Sequence, residues 1–217
     1  MKLFVATRSE GKRREARRLL IAAGIEPMFP DDAGLLETPE EASLELRDSF
    51  AANARAKAEY FARRCGLPTV ADDSGLEVFS LGGAPGVRSK RFAAAYGHHA
   101  TGGDLDAANN AELLRRLLGA PAARRRARYR CVLAYFAAPH AAAEIIEGSC
   151  GGTILEEPRG DGGFGYDPLF LSDDIGKTFA EAAPDEKDAV SHRGRAFRAL
   201  LELLGAAGAA NPTPERP

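Results

Sequence analysis

The residues best suited to chemistry lie in a few short stretches. Asp72 and Asp73 are adjacent carboxylates following the brief apolar run 69–71, and Glu45 sits just before a helical stretch. Hard oxygen donors of this kind suit Mg²⁺, with Mn²⁺ as a substitute, because such an ion takes a few carboxylates together with substrate phosphates and water. An Asp-Asp pair taken alone reads equally as a turn cap. The stretch Thr7-Arg8-Ser9-Glu10-Gly11-Lys12 joins a strand-like run to a helix-like one, where N–H groups at a helix start would meet an oxyanion. It is no Walker loop, since Ala6 replaces the first glycine and Arg13 follows Lys12. In the run 160–168 the glycines allow close backbone approach, and Phe164, Gly165, Tyr166 and Asp167 could frame a flat base. A glycine-rich hairpin with its rings in the core is the structural alternative. Ser191-His192-Arg193 places an imidazole and a guanidinium at a helix start; Lys187 precedes them, and Lys57 lies one turn beyond Asn53.

These groups need elements to position them. Residues 2–7 suit a buried strand, and Ala16, Leu19, Leu20 and Ala23 give the following helix one apolar stripe, ended by Gly24. Residues 30–43, rich in Pro, Asp and Glu, read as a connecting loop. Phe50, Ala54, Ala58 and Phe61 form a second amphipathic face, with Asp48 or Ser49 as its cap. A short strand 69–71 is expected to run into a polar turn at 72–75 before extension resumes at 76–79. A helix is predicted over 105–118, paired strands over 128–136 and 144–148, and a last helix from Ser191 bearing Phe197, Leu200, Leu201 and Leu204. The expected division is one two-lobed domain over 1–204 and a flexible tail over 205–217.

The 217 residues carry a formal net charge of −2, which excludes a general basic coat for nucleic acid. Arg124, Arg125, Arg126, Arg128 and Arg130 lack interleaved aromatics and read as a solvated loop and edge. The three cysteines fit neither a zinc knuckle nor a disulfide framework. The N-terminal apolar run is too short for a secretory segment and no membrane-length run occurs, so a cytoplasmic protein without membrane partners is expected. His98 and His99 have no partner motif and receive no role.

Taken in order, the motifs resemble the inosine triphosphate pyrophosphatase family. The matching pieces are 7–12 with Glu15, Ser49-Phe50 with Asn53 and Lys57, 71–76, 83–87 with Ser89 and Arg91, 163–168, Lys177-Thr178, Glu186-Lys187 and 191–193. The resemblance implies an α/β fold, a long mixed sheet with flanking helices and two lobes around a nucleotide cleft, and a homodimer. It also implies hydrolysis of dITP, ITP and XTP to monophosphate and pyrophosphate by attack of water at the α-phosphorus. Asp73 would be the general base and a Mg²⁺ ligand, joined by Asp72 and Glu45. Ser74, Lys57 and residues 7–12 would hold the phosphates. Phe164 to Asp167, Lys187, His192 and Arg193 would surround the base, with Arg193 donating to O6 and so disfavouring adenine. This chain has Arg8-Ser9 where relatives usually show Gly-Asn, and Arg47 where they show Gly. The rival readings are a Maf-like pyrophosphatase for other modified nucleotides and a nucleotide-binding sensor without turnover.

Overall fold

A computed structural model describes residues 1–98 and 104–210. His99 and residues 211–217 of the expected tail lie outside them. The described residues build a six-stranded mixed sheet in the order β2-β1-β3-β4-β5-β6. Strand β1 (Lys2–Val5) pairs in parallel with β2 (Glu26–Met28) and with β3 (Thr69–Val78). Strands β4 (Arg126–Phe136), β5 (Glu144–Ile154) and β6 (Phe170–Ser172) follow in antiparallel order. The helices are α1 (Glu10–Ala22), α2 (Phe50–Cys65), α3 (Asp104–Arg116), α4 (Pro184–Val190) and α5 (His192–Ala210).

Side-chain alternation along the strands separates the cores. Leu3, Val5, Val70 and Leu133 face α1 and α5, joining Leu20, Phe197 and Leu200. Phe4, Ala6, Ala71 and Phe136 point the other way, against Ala54, Ala58 and Phe61 of α2. A third core lies farther along β3 and β4, where Leu76, Val78 and Tyr129 meet Leu113, Phe170 and Phe179. The long strands β3 and β4 span these cores, and the polar triplet Asp72-Asp73-Ser74 sits where β3 passes from the first core to the third.

Several expectations need correcting. Residues 72–75 are not a turn: β3 is continuous because β4 pairs with it from Thr69↔Phe136 to Val78↔Ala127. Arg126, Arg128 and Arg130 lie on an interior strand, on its more solvent-facing side, and pair with Asp173, Glu77 and Glu147. Arg125 is buried and donates to the carbonyls of Leu117, Ile154 and Leu155. Helix α5 continues to Ala210, past the expected tail start at Gly205, through an alanine-rich stretch of high helix propensity. No helix among the described residues is long and apolar enough to cross a membrane.

Candidate active site

Strand β1 ends beside β3 at Val5↔Val70, while β4 accompanies β3 to its end. Beyond Val70, and before the bridge from Glu77 to Pro85, that edge of β3 has no strand partner among the described residues, and the 7–12 turn reaches it through Lys12, whose ammonium is 3.1 Å from Asp72. Successive residues of a strand face opposite ways, so the adjacent carboxylates part company. Asp73 accepts from Asn53 Nδ2 of α2 at 2.8 Å. Asp72 instead meets Arg193 at 3.2 Å, Lys12 and the Ser74 hydroxyl.

That separation sets Asp72 apart from the other two carboxylates of the expected trio. Although burial works against its charge, Lys12, Arg193 and Lys57 hold the Asp72 carboxyl far below the carboxylate range, and its Oδ2 meets Arg193, Lys12 and the Ser74 hydroxyl. Among the described residues no group of three or more His, Cys, Asp or Glu side chains converges as a metal cage. Of the three, Asp73 and Glu45 line the cleft. Burial raises the Asp73 carboxyl, Lys12 and Lys57 oppose the shift, and Glu45 adds to it by repulsion. Lys57 Nζ lies 2.5 Å from Glu45 and holds that carboxyl down at about 2. Two carboxylates that repel across a cleft, each with acceptor capacity left, fit Mg²⁺, which needs few protein ligands when phosphates and water complete its shell.

The phosphate end of the cleft is formed by the start of α1. Ser9 N–H donates to Thr7 Oγ1 at 3.3 Å, and Ser9 is the N-cap residue without a side-chain capping bond. Glu10 projects its carboxylate into solvent, so only its backbone N–H suits an anion. Gly11 has no room for a Cβ, which would strike the Phe164 ring; this contact joins the two ends of the site. Lys12 and Lys57 supply the cations. Arg8 does not: its guanidinium is bonded to Glu41, Asp31 and the Leu35 carbonyl. Ser74 is likewise engaged, accepting from Arg193 at 2.8 Å and donating to Asp72.

The other end is a buried chain of alternating charges. Lys187 Nζ lies 2.5 Å from Asp167 and 2.7 Å from Glu15, and Arg193 bridges Glu15 to Asp72. Burial works against the Lys187 charge, but the two carboxylates keep its ammonium above the usual lysine value. Among the described residues Lys187 makes two of its possible donor bonds and Arg193 four of its five, and both side chains line the cleft. Phe164 covers both cations, with Lys187 Nζ at 4.9 Å and Arg193 Cζ at 5.6 Å from its ring centre. His192 stacks on Tyr129 at 4.6 Å; burial, then Arg193, keeps its imidazole neutral, and its Nδ1 has no hydrogen-bond partner among the described residues. The loop beneath is fixed at several points: Asp167 accepts from Phe164 N, Tyr166 donates to Ser89 O, and Gly163 takes the left-handed φ of 73°.

Every site residue singled out in the sequence except Asp72 lines one cleft of about 590 Å³. Residues given no individual role also contribute: Glu15, Asn53, Tyr129, Asp106 and Asn110. Glu15 had a readable signal, a carboxylate four residues after Gly11 beside the apolar stripe of α1. Asp106 and Asn110 had none, because their partner Gly165 lies far along the chain.

A mixed sheet whose interrupted edge presents a buried carboxylate to a cationic helix start, with an aromatic pocket beyond, defines an α/β nucleotide-site protein. The Ham1 family model matches residues 3–203, and the chain belongs to the Ham1 family. It is 47% identical to a dITP/XTP pyrophosphatase of Thermus thermophilus over 202 residues, covering 93% of this chain and 91% of that relative. It is 49% identical to the enzyme of the same name from Syntrophobacter fumaroxidans over 201 residues, covering 93% and 79%. A HAM1 protein from Coxiella burnetii superposes with a TM-score of 0.79 at 35% identity, covering 95% of this chain and 99% of the other.

Proposed function

We propose that this protein hydrolyses the deaminated purine nucleotides dITP, ITP and XTP to the monophosphate and pyrophosphate, clearing them from the nucleotide pool. The observation that carries the reading is Asp73, a buried carboxylate with a raised pKa, fixed by Asn53 beside Glu45, Lys57 and Lys12. Asn53 occupies one carboxylate oxygen, leaving the other to orient a water molecule and accept its proton. Lys12, Lys57 and the N–H groups opening α1 would balance charge on the phosphates and on the leaving pyrophosphate. Glu45 and Asp73 would hold Mg²⁺, which supplies further charge neutralisation and makes a nearby water more acidic.

At the base end, the N–H groups of Lys187 and Arg193 suit the O6 acceptor of hypoxanthine or xanthine, whereas adenine presents an amino donor there. A site built on buried donors discriminates strongly against a ligand that leaves them unpaired. A cytoplasmic homodimer belongs to the same reading, and sedimentation of the purified chain tests the dimer. The reaction is tested with a panel of nucleoside triphosphates and Mg²⁺. Monophosphate and pyrophosphate from the inosine and xanthine nucleotides, lost on chelation, are expected; diphosphate and orthophosphate as first products would overturn the assignment.

A further inference from the structure

Arg8 belongs by position to the phosphate turn, yet its charge is directed elsewhere. Its Nε and one Nη reach both oxygens of Glu41 at 2.8 and 2.9 Å. Its other donors meet Asp31 Oδ1 and the Leu35 carbonyl, each at 2.9 Å. Four of the five guanidinium N–H groups are thereby used on three points of one segment. The Glu41 side chain is only 10% exposed, so this fork-to-fork pair is shielded from bulk water.

Elsewhere the segment is held by scattered contacts, with Arg64 at 3.7 Å from Glu41 and with Ala33 and Leu35 packed against the α2 core. Residues 31–45 contain no strand, and their 3-10 turn, Pro39–Ser43, has no buried residue. Arg13 reinforces Asp31 at 2.6 Å, and Thr38 meets Tyr60 at 2.8 Å. At the end of the segment stands Glu45, whose carboxylate meets Lys57 and whose carbonyl accepts from Arg91 at 2.6 Å. Glu37, Glu41, Leu44 and Glu45 form one wall of the cleft. An arginine at the phosphate turn that spends its donors on the opposite wall fixes the distance between the two.

We infer that Arg8 is a positioning residue, a strap that ties the 31–45 segment to the phosphate turn and thereby sets where Glu45 stands, rather than a ligand of the triphosphate. The role of Glu45 in this inference rests on the function proposed above; the strap itself does not. A phosphate ligand and a strap respond in opposite ways to loss of Glu41. Removing Glu41 would free Arg8 for phosphate in the first case and release the segment in the second.

The test uses Arg8→Ala, Glu41→Gln and the double variant, each checked for folding by thermal unfolding. In metal-free, nucleotide-free protein, amide hydrogen exchange of residues 31–45 should quicken in both single variants and no further in the double. With ITP, both single variants should raise the half-activating Mg²⁺ concentration about tenfold, equivalent to ~1.4 kcal/mol, with a smaller change in KM at saturating metal. Arg8→Lys, which keeps the charge but not the fork, should fall between wild type and Arg8→Ala. A lower KM in Glu41→Gln with a higher one in Arg8→Ala would make Arg8 a phosphate ligand and overturn the strap, as would unchanged exchange in both. If wild type hydrolyses no triphosphate, the proposed function fails while the exchange experiment still decides the strap.

Discussion

Asp72 and Asp73 are sequence neighbours with opposite tasks because a strand turns them to opposite faces. Asp73 has one hydrogen-bonded oxygen and an open cleft before it, whereas Asp72 is enclosed by Lys12, Arg193 and Ser74. Asp73→Asn should therefore keep the fold and much of the nucleotide affinity, while kcat falls by about 10² or more, since an amide cannot accept the water's proton. Steady-state kinetics with calorimetric nucleotide binding check this, and normal turnover in the variant would move the base to another residue. Arg193 combines base contact with structure. It is among the largest fully buried side chains, and removing it leaves Glu15 and Asp72 buried without their shared partner. Arg193→Ala should thus lose about 3–5 kcal/mol of stability in urea unfolding, in addition to any loss of discrimination between ITP and ATP. A variant as stable as wild type would mean that water replaces the guanidinium.

Helix α3 illustrates how an element can shape a site mainly through the backbone it holds. Asp106 Oδ2 accepts from Gly165 N at 2.7 Å, and Asn110 Nδ2 donates to Gly165 O at 2.9 Å, so two side chains of α3 clamp the N–H and C=O of one residue. Gly165 lies between Phe164 and Tyr166, and the clamp fixes the aromatic loop. Each bond is worth about 0.5–1.5 kcal/mol, so Asp106→Ala or Asn110→Ala should raise KM for ITP up to about tenfold with kcat nearly kept. A fall in kcat at constant KM would place α3 in the chemical step instead. This clamp was illegible in the sequence, where nothing links residues 106 and 110 to residue 165. Local patterns were legible: the apolar stripes of α1 and α2, the Ser49 cap, which accepts from Ala52 N at 3.2 Å, and Ser191, whose hydroxyl accepts from Gly194 N. The three-residue strands β2 and β6 were too short to give a periodic signal, since tertiary pairing creates them. Likewise, the break expected at Asp72 did not occur, because strand pairing and cation partners overrode a local turn preference.

Across the whole molecule, a single line of charges joins parts that meet only on folding. It runs from Asp167 before β6 through Lys187 of α4, Glu15 of α1 and Arg193 of α5 to Asp72 of β3 and Lys12. Because base and phosphate ends share this network, acid should disturb the site and the fold together. Burial alone would raise the Glu15 carboxyl, but Arg193 and Lys187 outweigh it and lower the group from 4.5 to about 2. A carboxyl depressed in the folded state binds its proton more readily when unfolded, so folding gains from its ionised form at higher pH. The contribution is complete above the unfolded pKa, and it is lost as the pH falls from about 4.5 toward about 2. At 1.36 kcal/mol per pKa unit, Glu15 accounts for about 3 kcal/mol of that loss. Urea unfolding between pH 7 and pH 2.5 should show wild-type stability falling through this window. Glu15→Gln should start lower, because it leaves Lys187 and Arg193 short of a counter-charge, and should then decline less steeply. Parallel pH curves for the two proteins would show that other carboxylates carry the acid sensitivity and that Glu15 serves the base pocket alone.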